Sequence, residues 1–184
     1  MIEEENVGWI DLPERNFEMP NEFKERPYIR VYLASALTGR DQEEKDFDDK
    51  VRAAIRDVFS KATCQKVPYM VKYQVYDPEE YTAPGSHHTP EEVYHIDFTE
   101  LVGSDFALFY VNAASLGMGI ERQIAGMGGI SSAWICSEAK EVSRMFQGSF
   151  GGSMFTVKFV SIEELSLKLQ TKFRNMDLNC SIKH

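Results

Sequence analysis

Residues 106–121 read FALFYVNAASLGMGIE. Phe106–Val111 is an unbroken apolar run with the length of a buried strand. A short polar turn and two glycines then lead into a helix expected to begin near Gly119. A buried strand feeding a helix through such a turn is one half of a βαβ unit. The same alternation recurs on both sides of it. Upstream, IRVYLASAL (Ile29–Leu37) opens as a strand, and a helix follows from about Asp41. Phe47, Val51, Ala54, Ile55 and Val58 share one face of that helix. YQVY (Tyr73–Tyr76) is a second strand, ended by Asp77-Pro78 because the residue before a proline leaves the helical region. Glu79–His88 is a loop, and Thr89-Pro90-Glu91-Glu92 is a capping box that opens a helix running to about Val102. Downstream, SAWIC (Ser132–Cys136) is a fourth strand, residues 137–153 form a Ser/Gly-rich loop, and FTVKFV (Phe155–Val160) is an edge strand. Ser161-Ile162-Glu163-Glu164 reads as a second capping box. The last helix carries Ile162, Leu165, Leu169, Phe173 and Met176 on one face.

Five such alternations predict an α/β fold: a five-stranded parallel sheet of order 2-1-3-4-5, with helices on both faces, of the flavodoxin or Rossmann-like kind. The expected organisation is an N-terminal arm over 1–27, anchored by Trp9, Ile10, Phe17 and Phe23, and a single domain over 28–184. Ligands of such sheets bind beyond the carboxyl ends of the strands, where the winding reverses. That point lies between the first and third strands, so Ala34–Arg40 and Asn112–Glu121 should line the site.

Composition narrows the function classes. The 184 residues are 43% hydrophobic and 27% charged, an ordinary globular mixture. The net charge of -9 argues against a nucleic-acid polymer as partner, which needs a basic face. It leaves room for a small phosphate held by backbone amides. Apolar runs fall short of the roughly 20 residues that cross a bilayer, so no membrane partner is expected. Cys64, Cys136 and Cys180 are too widely spaced for a zinc site or a disulfide frame, which suggests a reduced, cytoplasmic setting. His87-His88 has no third ligand at a suitable spacing, and no metal is expected.

Four positions carry the chemistry. Ser115 to Glu121 (SLGMGIE) sits at the switch point, where glycines Gly117 and Gly119 permit close backbone approach and the helix-start amides attract an anion. It is neither a dinucleotide fingerprint nor a P-loop. Glu121 has two compatible readings: an acidic residue favoured by the helix dipole, or an ionised nucleophile. Asp97 shares a helical stripe with Val93, Ile96 and Leu101. A carboxylate there is either paired with a neighbouring loop or has a raised pKa. Two carboxylates around one cleft suit glycosyl chemistry, one as nucleophile and one as proton donor. Tyr32, on the first strand, either orients a carboxylate or is a buried structural residue.

These residues resemble a known family. VYLASALTG (Val31–Gly39), YHIDFTELVGSD (Tyr94–Asp105) and SLGMGIE (Ser115–Glu121) look like the nucleoside 2-deoxyribosyltransferase superfamily, in the right order over about residues 29–136. Asp97 precedes Glu121 by 24 positions, a spacing similar to that of the 2'-deoxynucleoside 5'-phosphate N-hydrolase branch. The resemblance implies Glu121 as nucleophile, Asp97 as the carboxylate assisting departure of the base, and Tyr32 as the residue positioning the nucleophile. It implies phosphate or substrate contacts at Ser35, Ala36, Thr38, Gly39, Arg40, Ser115, Gly117 and Gly119. Ser35 stands where a glycine is usual, and Thr38-Gly39-Arg40 replaces a denser glycine run.

The expected activity is hydrolysis of a (deoxy)nucleoside 5'-monophosphate to free base and sugar 5-phosphate, without a cofactor. A nucleoside 2-deoxyribosyltransferase or an NAD-type glycohydrolase is the alternative within the same chemistry. A non-catalytic nucleotide-sensing module is the alternative outside it. The resemblance also implies a homodimer or higher homo-oligomer; the 137–153 loop, which has no counterpart in the family, is the segment expected to reach the neighbour.

Overall fold

The computed structural model describes residues 28–64, 71–149 and 154–174. The arm over 1–27, residues 150–153 of the long loop, Met176 and Cys180 lie outside the described residues. Strand β1 (Tyr28–Ser35) leads to helix α1 (Gln42–Lys61), a two-residue strand β2 (Thr63–Cys64) and strand β3 (Val71–Tyr76). A short helix α2 (Pro78–Tyr81), helix α3 (Pro90–Val102), strand β4 (Phe106–Tyr110) and helix α4 (Leu116–Met127) follow. Strand β5 (Ser131–Ser137), a short helix α5 (Arg144–Gln147), strand β6 (Thr156–Phe159) and helix α6 (Ile162–Arg174) complete the elements of the described residues.

The sheet order is β2-β3-β1-β4-β5-β6. The five strands β3-β1-β4-β5-β6 are parallel and have the expected 2-1-3-4-5 arrangement. The sixth strand, β2, pairs antiparallel at the edge through Thr63 and Lys72. Two residues are too few to show a period, so this strand left no signal in the sequence. Within the 79–88 loop, Asp77 caps α2 by accepting the Glu79 amide, a turn of helix that was also not anticipated.

Strand residues alternate between two cores, as the period of two requires. Ile29, Val31 and Leu33 face α1 and α6, where they meet Val51, Ile55, Phe59, Leu165 and Phe173. Tyr32 and Ala34 point the other way, towards Leu101 of α3 and Met118 and Ala125 of α4. Both caps of α3 form as expected: Thr89 accepts the Glu92 amide and Glu92 reaches back to the Thr89 amide. At α6, Ser161 accepts the Glu164 amide, but the Glu164 carboxylate reaches Val160 rather than Ser161. Among the described residues no helix is long and apolar enough to cross a membrane.

A buried ionic network holds the β1–α1 loop down. Asp48 is 1% exposed and accepts three bonds, from Arg40 Nη1 (2.7 Å), Tyr110 Oη (2.7 Å) and Asn112 Nδ2 (2.7 Å). Arg52, also buried, reaches Glu79 at 3.0 Å and lies 3.6 Å from Asp77. Arg56 bonds the same Asp77 at 3.0 Å. The network therefore ties α1 to α2, to the first loop and to the end of β4. A buried charge that loses its partner costs several kcal/mol. Asp48→Ala should lower unfolding free energy by about 3 kcal/mol, because it strands Arg40 and two further donors. Urea unfolding checks this; a loss under about 0.5 kcal/mol, the scale of an ordinary surface substitution, would show that the network carries no stability.

Candidate active site

The carboxyl ends of β1, β3 and β4 meet at a cavity of about 450 Å³, a size suited to a small molecule. One wall comes from the β1 loop (Ser35, Leu37, Thr38). Another comes from the start of α4 (Ser115, Gly117, Met118, Glu121), and α3 contributes Val93 and Asp97. The switch-point expectation thus located the cavity.

Glu121 lies further into α4 than expected. Ser115 is the N-cap of α4, its Oγ accepting the Met118 amide at 3.2 Å, so the helix begins at Leu116 rather than near Gly119. Glu121 therefore falls in the second turn, beyond the helix-start amides that would favour its charge. Its Oε1 instead accepts from Tyr32 Oη at 2.7 Å. Burial pushes the Glu121 carboxyl up to about 7; the Tyr32 hydrogen bond opposes this and the Asp97 charge adds to it. The residue is about half ionised at neutral pH, not fully ionised as the sequence suggested. Burial and the neighbouring Glu121 charge hold the Tyr32 phenol well above its usual range, so it remains a neutral donor.

Asp97 is half-buried on the same cavity. Its Oδ1 accepts from Thr82 Oγ1 at 2.9 Å and from Tyr76 Oη at 3.3 Å. Burial raises its pKa, while these two bonds oppose the rise. Both readings offered by the sequence hold together: the carboxyl is paired with a neighbouring loop and its pKa is raised. Tyr32 and Tyr76 are register partners on adjacent parallel strands, and their rings stack at 5.6 Å. Each of the two carboxyls thus receives one phenol from a stacked tyrosine pair.

The phosphate-side residues divide. Ser35, Thr38, Ser115 and Gly117 line the cavity. Ala36 is buried behind the wall, and Gly39 forms the turn at φ +74° that only glycine adopts without strain. Gly119 does not line the cavity. Arg40 is neither at the surface nor in the cavity: it is buried in the ion pair with Asp48 and lies 3.4 Å from Glu79. The acidic partner eight positions along α1 takes the charge that the first loop was expected to offer a phosphate.

Sequence reasoning missed the third wall. Pro78, Thr82 to Ser86, His88 and Pro90 close the cavity opposite α4. The signal was available, since the strand before this loop lies next to β1 and must end at the same sheet edge. Among the described residues no group of acidic, histidine or cysteine side chains could hold a metal ion, and His88 instead lines the cavity.

No protein-family model matches the chain, and no curated protein sequence matches it. Solved structures do. A 2-deoxyribosyltransferase of Bacillus psychrosaccharolyticus aligns at 16% identity and a TM-score of 0.52, over 80% of this chain and 92% of that one. The Clostridium botulinum CMP N-glycosidase BcmB aligns at 15% identity and a TM-score of 0.55, over 77% of this chain and 98% of that one. The chain has the 2-deoxyribosyltransferase fold. A conserved protein of Enterococcus faecalis has it too, at 12% identity and a TM-score of 0.51, over 80% of this chain and 98% of that one. In this chain β1 runs beside α4, and Tyr32 of the strand meets Glu121 in the second turn of the helix.

The raised pKa of Glu121 has a stability consequence with a definite sign. The folded chain binds this proton more tightly than the unfolded one does. The resulting stabilisation is complete below about pH 4.5 and is lost as pH rises through about 7. Between pH 5 and pH 8 the native protein should therefore lose on the order of 2–3 kcal/mol that Glu121→Gln does not lose. Denaturant unfolding of both proteins at the two pH values measures the difference. Parallel pH dependence would show that Glu121 titrates normally.

Proposed function

We propose that this protein is an enzyme that hydrolyses the N-glycosidic bond of a nucleoside 5'-monophosphate, a deoxynucleotide by preference, to free base and sugar 5-phosphate. The observation that carries the reading is the Tyr32–Glu121 hydrogen bond, with Asp97 on the same cavity. Tyr32 occupies Glu121 Oε1, which leaves Oε2 to attack the anomeric carbon. As the carbon–nitrogen bond breaks, its electron pair goes to the base, and the Asp97 carboxyl supplies the proton. The product of this step is an ester between Glu121 and the sugar. Water then attacks the anomeric carbon, its proton passes to the Asp97 carboxylate, and Glu121 leaves as a carboxylate. Two carboxyls with raised pKa values suit these roles, since one must give up a proton and the other must be desolvated enough to react.

The 5'-phosphate reading rests on Ser115. Its oxygen accepts the Met118 amide, so its own hydrogen is available to a ligand. The Leu116 and Gly117 amides stand beside it at the helix start, ahead of the first hydrogen-bonded turn. With Arg40 engaged by Asp48, the anion is met by neutral donors and the helix dipole. A homodimer fits the outer surface: Leu116 is 90% exposed and Ile120 53%, one turn apart on α4 beside the cavity mouth. A phosphorylated substrate also fits action in the cytoplasm, where such compounds are retained.

The CMP N-glycosidase and the deoxyribosyltransferase that share the fold support cleavage and transfer alike. The test is incubation with a panel of nucleosides, their monophosphates and NAD, with and without a second free base, followed by chromatography. Free base released from a monophosphate without an acceptor is the expected result; release only when an acceptor base is present would make the protein a transferase. Glu121→Ala should lower that release at least about a thousandfold. Near-normal turnover would remove Glu121 from the mechanism. Ser115→Asp should reverse the preference, because a carboxylate repels phosphate but accepts a hydrogen bond from a free 5'-hydroxyl. Calorimetric titration of one nucleoside and its monophosphate against both proteins checks this. Equal affinities in the native protein would overturn the nucleotide assignment.

A further inference from the structure

Asp97 presents its two oxygens differently. Oδ1 accepts from both Thr82 Oγ1 and Tyr76 Oη, whereas Oδ2 has no hydrogen-bond partner among the described residues. Thr82 has one hydroxyl hydrogen and three acceptors in reach, Asp97 Oδ1 at 2.9 Å, the Pro78 carbonyl at 3.2 Å and the Tyr76 hydroxyl. The residue is buried at the end of α2, on the cavity wall. Tyr76 is also buried, and burial with the nearby Asp97 charge keeps its phenol protonated at all ordinary pH values. Both hydroxyls lie against the same oxygen of Asp97, and Oδ1 is nearer to the Thr82 hydroxyl than the Pro78 carbonyl is.

We propose that Thr82 and Tyr76 are positioning residues for Asp97, holding Oδ1 as the acceptor oxygen so that Oδ2 carries the transferable proton towards the departing base. This rests on the N-glycosidase reading above. When the Oδ2 proton moves to the base nitrogen, the electron pair of the oxygen–hydrogen bond stays on the carboxyl and Asp97 becomes an anion. The two hydroxyls then stabilise a charge that was absent before transfer. A hydrogen bond that strengthens as the reaction proceeds lowers the barrier, and one equally strong before and after does not. A leaving group that departs without a proton leaves Asp97 neutral and gains nothing from them. The other charged or titratable groups around Asp97 are Glu100 on its own helix and Glu121 with its partner Tyr32, while His88 lines the same cavity.

The experiment compares Thr82→Val, Thr82→Ser and Tyr76→Phe with the native protein in two arms. In the first, kcat/KM is measured on a nucleoside monophosphate and on 4-nitrophenyl 2-deoxyribofuranoside 5-phosphate across pH. Thr82→Val should lose at least about tenfold on the nucleotide and less than about threefold on the nitrophenyl substrate, with the alkaline limb moved to higher pH. Tyr76→Phe should show the same pattern more weakly, and Thr82→Ser should restore native behaviour. Equal loss on both substrates, or no loss on either, would overturn the proposal. The second arm needs no turnover: carboxyl-carbon NMR follows the titration of Asp97. Loss of the Thr82 donor should raise its pKa, and the serine variant should reverse that rise. An unchanged Asp97 titration overturns the positioning role. Absence of cleavage by the native protein, with the NMR shift present, overturns the activity alone.

Discussion

The site depends on two tyrosines that face each other in register across parallel strands. Tyr32 on β1 and Tyr76 on β3 are paired residues, point to the same face and stack. Their phenols diverge to two carboxyls carried by different helices, Glu121 on α4 and Asp97 on α3. A one-residue slip of either strand would send its tyrosine to the opposite face. The registers Val31 with Val75 and Leu33 with Leu108, which place Val31 and Leu33 in the α1–α6 core, exclude that slip. The geometry of the site is therefore set by the packing of the far side of the sheet.

Electrostatics at the site is decided by a competition between burial and hydrogen bonding. At Glu121 burial wins, since one phenol cannot replace the water lost and the helix-start amides lie out of reach. At Asp97 two hydroxyls oppose burial and reduce its effect. Behind the first loop the balance is different. Arg40, Arg52 and Arg56 are matched by Asp48, Asp77, Glu79 and Glu80, so the charge there is spent internally. The described lining of the cavity holds the two carboxyls, the His88 imidazole and hydroxyl groups, without an arginine or lysine.

Much of this was legible in the sequence. Strand–helix alternation predicts the five parallel strands and their order, and Asp97 in the stripe of α3 marks itself as an unusual carboxylate. The cap at Thr89 follows from local chemistry alone. Other features arise only when distant segments meet. Arg40 reads as a phosphate contact of the first loop until it, Tyr110 and Asn112 are brought around the Asp48 carboxyl. The glycines point to a start of α4 near Gly119, whereas the Ser115 hydroxyl, which the sequence also offers as a helix cap, sets the start at Leu116. The Tyr76 and Thr82 donors depend on register and on a four-residue helix, neither of which has a periodic signature.

The central claim is that Glu121 forms a bond to the sugar. A deoxynucleoside 5'-monophosphate fluorinated at the 2' position slows departure of the glycosyl-enzyme and allows it to be isolated. Peptide mass spectrometry after a brief incubation should find the fluorinated sugar phosphate on the peptide containing Glu121, one per chain, with stoichiometric release of base. Stoichiometric base release with the label on another residue, or with no label at all, would contradict the account.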